Sequence, residues 1–199
     1  MSFARLSLLA PLLIAVAAPA PAQFQSDSYK FLTAIRDGKG NDVIAALNKP
    51  GNTIVNTRDQ STGETALHIV VKRGDAAYTS FLLAKGADAN ARDARGNTPL
   101  LVAVNSGNEG LIQLLVNGKA NPNLGNSSGE TPLILAVQRR DVVMVRDLLA
   151  VGADPDQADV IAGESARDYA TDDKRNTTIA RMLADAPRKT RAAVAGPRL

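Results

Sequence analysis

His68, in Thr65-Ala-Leu-His, is the only imidazole of the chain, and there is no cysteine. Zinc sites built on two or more Cys or His ligands, iron–sulfur clusters, thiolate nucleophiles and disulfide frameworks are therefore excluded by count. Carboxylates remain. Asp154, Asp156 and Asp159, with Asp172-Asp173 further along, are of the type that holds Ca2+ or that works as a general acid and base. Either use needs convergence: several oxygens around one ion, or a pocket that drives two carboxyl pKa values apart. The spacing marks no such pocket. Asp156 and Asp159 fall in the final hairpin finger of the chain, where acidic side chains commonly hold backbone amides, so they are expected to be turn residues. No metal and no other cofactor is expected.

The elements that must carry these residues follow from composition and period. The chain has 199 residues, 45% hydrophobic and 22% charged, which are globular values; aromatics are 4% and Trp is absent. The core must be built from Leu, Ile, Val and Ala. Thr65-Ala-Leu-His-Ile-Val-Val, Thr98-Pro-Leu-Leu-Val-Ala-Val, Thr131-Pro-Leu-Ile-Leu-Ala-Val and Ser165-Ala-Arg-Asp-Tyr-Ala-Thr begin at spacings of 33, 33 and 34. Tyr78 to Leu83, Leu111 to Val116, Met144 to Leu149 and Thr178 to Leu183 repeat behind them. Each period thus predicts two short helices. Thr98 and Thr131 are placed to cap the first helix, with Pro99 and Pro132 at N1, where the missing N–H costs nothing. Gly74 and Gly107 end that helix, and Leu82-Leu83, Leu114-Leu115 or Leu148-Leu149 carry the second helix inward until Gly86 or Gly152 ends it. Asp59, Asp93 and Asn126, with Gly63, Gly96 and Gly129, predict polar hairpins that project as fingers. A unit of this kind cannot bury its face alone, so neighbours must stack into a solenoid.

Gly86-Ala-Asp-Ala-Asn-Ala-Arg-Asp-Ala-Arg-Gly-Asn-Thr-Pro-Leu and the later Gly152-Ala-Asp resemble the unit-to-unit junction of the ankyrin repeat family. The resemblance runs from about 30 to 185. It implies an all-α solenoid of about five ankyrin repeats, each a helix–turn–helix with a hairpin finger, and degenerate terminal caps. It also implies that His68 holds backbone between repeats rather than performing catalysis. Family members usually bind proteins with finger tips and the inner helix surface. Departures from the pattern are local: Arg140 replaces the first turn glycine of the fourth unit, Lys119 stands where Gly86 and Gly152 stand, and Leu47 to Thr65 is three residues longer than Leu83 to Thr98, with Pro50-Gly51 in the insertion. The last unit puts Arg167 and Asp168 where inner units have Leu and His, as a solvent-facing cap would.

Before the repeats, Arg5, the apolar run Leu6 to Ala18, and Ala20 and Ala22 at −3 and −1 read as a signal peptide cleaved before Gln23. The run is shorter than the ~20 residues a spanning helix needs. The domain plan is then a leader at 1–22, a linker at 23–29, the repeat domain at 30–186 and a basic tail at 187–199. Without Arg5 and the tail cations Arg188, Lys189, Arg191 and Arg198, the formal charge of +3 becomes −2, so the basic character belongs to the ends. No basic surface interleaved with aromatics supports nucleic-acid binding.

These readings point to an exported bacterial protein of the periplasm, with onward secretion the other destination such a leader serves. It is expected to be a monomeric, non-enzymatic module that binds a protein partner, without integral membrane contact after cleavage. The candidate contact residues are Gln60, Ser61, Thr62 and Glu64 of the first finger, Arg95 and Asn97 of the second, and Ser127, Ser128 and Glu130 of the third. Lys72, Arg73, Asn105, Ser106, Gln138 and Arg139 join them from the inner helix ends. With Arg36-Asp37 and Asp172-Asp173 these pairs form one expected ladder, cationic at the second unit, neutral in the middle and anionic at the last. Two other functions are a carboxylate-dependent hydrolase on the same scaffold, which would require a deep pocket with two close carboxylates, and a secreted factor acting on another cell.

Overall fold

The computed structural model describes residues 26–49, 53–173 and 175–188; the expected leader, Pro50-Gly51 and most of the expected tail lie outside them. Among the described residues there are ten α-helices and no strand. They are α1 (Asp27–Arg36), α2 (Gly40–Leu47), α3 (Ala66–Lys72), α4 (Ala76–Ala84), α5 (Pro99–Asn105), α6 (Ile112–Asn117), α7 (Pro132–Gln138), α8 (Val142–Ala150), α9 (Ala166–Asp172) and α10 (Thr177–Asp185). The odd-numbered helices pack on one another in series as an inner row, and α4, α6, α8 and α10 form a second row behind them. The chain is an all-α repeat solenoid.

Helix starts are written locally. Thr98 Oγ1 accepts the Leu101 N–H at 3.3 Å and Thr131 Oγ1 that of Ile134 at 3.2 Å, each with Pro at N1. Asp75, Asp141 and Asn176 cap α4, α8 and α10 in the same way. Asn108 precedes α6 but donates instead to the Val71 carbonyl of the preceding unit at 2.8 Å, and α6 is entered through a 3-10 turn, Glu109–Leu111. Arg140 (φ 57°) and Lys119 (φ 70°) adopt the left-handed backbone that glycine supplies at 74, 107, 86 and 152, so the register survives both departures. Each carries a cost of about 1–2 kcal/mol for a residue with a Cβ.

Leu67, Leu100 and Leu133 enter the core at one repeat position and Leu82, Leu115 and Leu148 at another, all fully buried. Each contributes about 1.5–3 kcal/mol by leaving water. Only one leucine of each expected outer pair is fully buried; Leu83, Leu114 and Leu149 pack on the core while staying partly exposed. The helix turns roughly 100° per residue, so two consecutive side chains do not both face inward.

Two details differ from the sequence reading. Helix α1 starts at Asp27, inside the stretch read as linker, because the Ser26 side chain accepts the Tyr29 N–H. Arg167, expected to face solvent on the end cap, is folded over the end of the stack: its side chain is 14% exposed, its Nε lies 2.8 Å from Asp156, and it donates to the carbonyls of Leu183 and Ala186. The guanidinium thus occupies the buried-leucine position and has its donors satisfied there. The final finger, the expected place of Asp159, runs from Asp159 to Glu164 before α9, with Val160 78% and Ile161 79% exposed at its tip.

Candidate binding groove

Each finger is closed by one side-chain oxygen. Asp59 Oδ1 accepts the N–H groups of Ser61 and Thr62 at 2.9 and 3.0 Å, Asp93 Oδ1 those of Arg95 and Asn97 at 2.8 Å, and Asn126 Oδ1 those of Ser128 and Glu130 at 2.9 and 3.1 Å. The fingers then join as a ladder: Ala94, Ser127 and Val160 donate their N–H to the carbonyls of Thr62, Arg95 and Ser128 at 2.9, 3.1 and 2.9 Å. Gly63 and Gly129 are required twice over. Each has φ near +70°, at 69° and 76°, and a Cβ there would stand 2.6 Å from the next finger's amide nitrogen.

This accounting reassigns many of the finger candidates. The backbones of Ser61, Thr62, Asn97, Ser127, Ser128 and Glu130 are spent on holding the fingers, and the Glu130 carboxylate accepts from Asn126 Nδ2 at 3.0 Å. Asn97 also lends its carbonyl to His68 Nε2 at 3.0 Å, while Thr65 N–H donates to His68 Nδ1 at 3.2 Å. That fixes the neutral tautomer with the proton on Nε2, and burial, the largest cause, pushes the His68 pKa below its ordinary value. The side chains of Gln60 and Arg95 remain available on the outside.

The expected ladder pairs all fall at the last residue and C-cap of the inner helices: Arg36-Asp37, Lys72-Arg73, Asn105-Ser106, Gln138-Arg139 and Asp172-Asp173. Their chemical state is not uniform. Arg73 donates to the Ile35 carbonyl at 3.0 Å and to Asp75 at 2.9 Å and lies over the Tyr78 ring, so it ties α3 to α1. Arg36 is held by Asp59 at 2.7 Å. At the other end Arg140 Nε lies 2.5 Å from Asp173, which holds that carboxyl down at about 2, and Arg175 sits 3.3 Å from its other oxygen. The graded charge of the sequence reading is therefore reduced. Lys72 stays 66% exposed with Glu64 at 3.5 Å, and among the described residues no hydrogen bond or ion pair holds the side chains of Arg139 or Asp172.

The groove also has a floor that the residue pairs did not reveal. Thr33, Ile69, Val102, Leu135 and Tyr169 occupy one position of the five inner helices, and each is half-buried while its helix neighbours are mostly buried. Ile69, Lys72 and Arg73 are related by three and four residues and so share one helix face. For α3, α5, α7 and α9 the signal was present in the sequence as an apolar or aromatic residue four places after the N-cap Thr or Ser; Thr33 of α1 joins the row only by its place three residues before the helix end. Tyr169 ends the row, its hydroxyl donating to Asp159 at 2.6 Å, which pushes the phenol up to about 12.

Of the carboxylates raised as catalytic or Ca2+ candidates, Asp154, Asp156, Asp159 and Asp173 have structural partners and Asp172 faces solvent. Asp154 Oδ1 accepts the Asp156 N–H, Asp156 binds Arg167, and Asp159 accepts the amides of Ala162 and Gly163. Among the described residues no group of three His, Cys, Asp or Glu side chains is placed to hold a metal ion. A cleft of about 840 Å³ lies between α1 and the first finger, lined by Tyr29, Arg36, Arg58, Asp59 and Gln60 among others. Its carboxylate is held well below the usual range, first by the Ser61 hydroxyl and then by Arg36, which makes it a weak base. No described helix is long and apolar enough to cross a membrane.

A family model described as ankyrin repeats in three copies matches residues 31–125 and 78–159, together most of the helical stack. No curated protein matches the chain.

Proposed function

We propose that this chain, which belongs to the ankyrin repeat family, is a non-enzymatic binding module of the bacterial cell envelope that holds one protein partner in its inner-helix groove. Ankyrin repeats are generic protein-interaction modules, and the groove face supplies the observation that carries the reading. One helix face recurs without interruption from α1 to α9, with a half-buried row as floor and polar, partly unpaired side chains along its margin. Such a surface offers both apolar contact and orienting charge, the combination found at protein interfaces. Exposed polar chemistry on a repeat stack suits recognition, and the Asp59, Asp154 and Asp159 carboxylates are engaged in holding turn amides rather than poised for proton transfer.

Envelope location rests on the leader reading, and mature protein recovered from the envelope should begin at Gln23. Intact Met1 on a membrane-bound species would replace export by anchoring. Binding is tested with a photoreactive amino acid at Asn105, on the groove margin, or at Gln113, on the exposed back of α6. Cross-links in cells should form from position 105 and not from 113. Equal yields from both, or none from 105, would overturn the groove assignment.

A further inference from the structure

Ile69, Val102 and Leu135 stand at one position of three successive inner helices, half-buried and on the same face as the helix-end residues. Packed helices lie roughly 8–10 Å apart, so this apolar row has about that period. A partner α-helix laid across the row presents an apolar side chain on one face every seven residues, about 10.5 Å. An extended strand repeats on one face at about 6.7 Å, or twice that, and falls out of step with the row. Period therefore selects a helix.

Charge selects its flanks. Lys72 is two-thirds exposed, and among the described residues no hydrogen bond or ion pair holds the side chain of Arg95 or Arg139. Asn105 and Gln138 lie between the helix-end cations and are neutral. Of the helix-end carboxylates, Asp37, paired with Lys39, and Asp172 lie beyond the two ends of this cationic stretch, while Glu64 stands 3.5 Å from Lys72. We infer that the groove is shaped for an amphipathic α-helix of the partner protein, with apolar side chains at every seventh residue and Asp or Glu beside them. This rests on the protein-binding reading and names the chemistry of its partner.

The probe is a synthetic helix of about three heptads, with Leu at one heptad position, Glu at the flanking positions and Ala elsewhere. Fluorescence anisotropy with the full mature chain should show saturable binding below about 100 μM. Replacing every Glu by Lys, or moving the leucines to every fifth residue, should each weaken it about tenfold or more. The double variant Lys72→Glu with Arg139→Glu should reverse the charge preference and bind the Lys peptide better, a rescue that misfolding would not produce. Binding indifferent to peptide charge or leucine spacing, or no saturation by about 1 mM, overturns the inference. Cross-linking at Asn105 separates the two levels: if it persists while the peptides fail, the groove still binds a protein but not an acidic helix.

Discussion

His68 Nε2 lies 3.0 Å from the carbonyl oxygen of Asn97, so a buried neutral imidazole joins the second repeat to the root of the next finger. Protonating Nδ1 would set a second donor against the Thr65 N–H that now donates to it.

This sets a pH dependence. Burial lowers the folded-state pKa below the unfolded value near 6.5, so the unfolded chain binds more protons in that window and stability rises with pH through it. The contribution is fully present above about pH 6.5 and is lost as pH falls through the folded-state value. Asp59, Asp75, Asp159, Asp168 and Asp173 all have lowered pKa values, so their contributions persist until pH drops below about 4. Thermal melts between pH 7.5 and 5 should therefore show a falling Tm in the parent chain and a flatter profile in His68→Gln. Identical slopes would remove His68 as the cause.

Lys119→Gly should raise stability. Lys119 has φ 70°, and among the described residues the hydrogen bond from another repeat that uses it goes to its backbone carbonyl, which glycine keeps. Relief of left-handed strain, offset in part by the greater freedom of glycine in the unfolded chain, leaves a gain of about 0.5–1 kcal/mol. Urea unfolding measures it, and a lower midpoint would contradict it. Arg140→Gly is not equivalent, since it also removes the contact to Asp173.

A second ladder joins the repeats away from the fingers. Asn56, Asn90 and Asn123 each donate Nδ2 to a carbonyl of the next unit, those of Gly86, Lys119 and Gly152, and accept an amide there from Asp88, Asn121 and Asp154. Asn90→Ala deletes both bonds at once and should cost about 1–3 kcal/mol. Amide exchange at Asn121 should accelerate more than exchange at Asn97, on the finger side of the same unit. Uniform acceleration would mean that the amide clamp is not local.

Leu133→Ala, in the middle of the stack, should cost roughly 2–5 kcal/mol because neighbours on both sides close on the cavity only partly. Ile161→Ser at the exposed fourth fingertip should change stability by less than about 0.5 kcal/mol. Comparable losses would place Ile161 in a contact that the folded chain does not make.

Charge reversal in the groove needs a choice of residues that spares the framework. Arg73→Glu would break the contacts to Ile35 and Asp75, and Arg175 is itself bound to Asp173, so neither reports on binding alone. Lys72→Glu with Arg139→Glu, compared with Arg181→Glu on the exposed back of α10, should lower affinity for a captured partner about tenfold with unchanged melting temperature. Equal loss from Arg181→Glu would indicate a nonspecific effect of net charge.

Periodicity carried the architecture. A helix that starts at Thr98-Pro99 and ends at Gly107 is set by capping and left-handed geometry within a few residues, and a spacing of 33 leaves stacking as the way to bury Leu100 and Leu133. Those are local decisions, which a sequence states directly. The condition of the groove is not local. Lys72 and Arg73 are adjacent cations in the chain, yet one extends toward solvent and the other is fastened to Ile35, 38 residues earlier, because the packing of α3 on α1 puts the helix-end carbonyl of Ile35, which also accepts the Gly38 N–H, within its reach. Asp172 and Asp173 divide in the same way through Arg140, 33 residues before Asp173. Residue type determined which groups carry charge. Which of them keep it available was decided only by stacking, which brings distant backbone and side-chain partners to some positions and leaves others facing water.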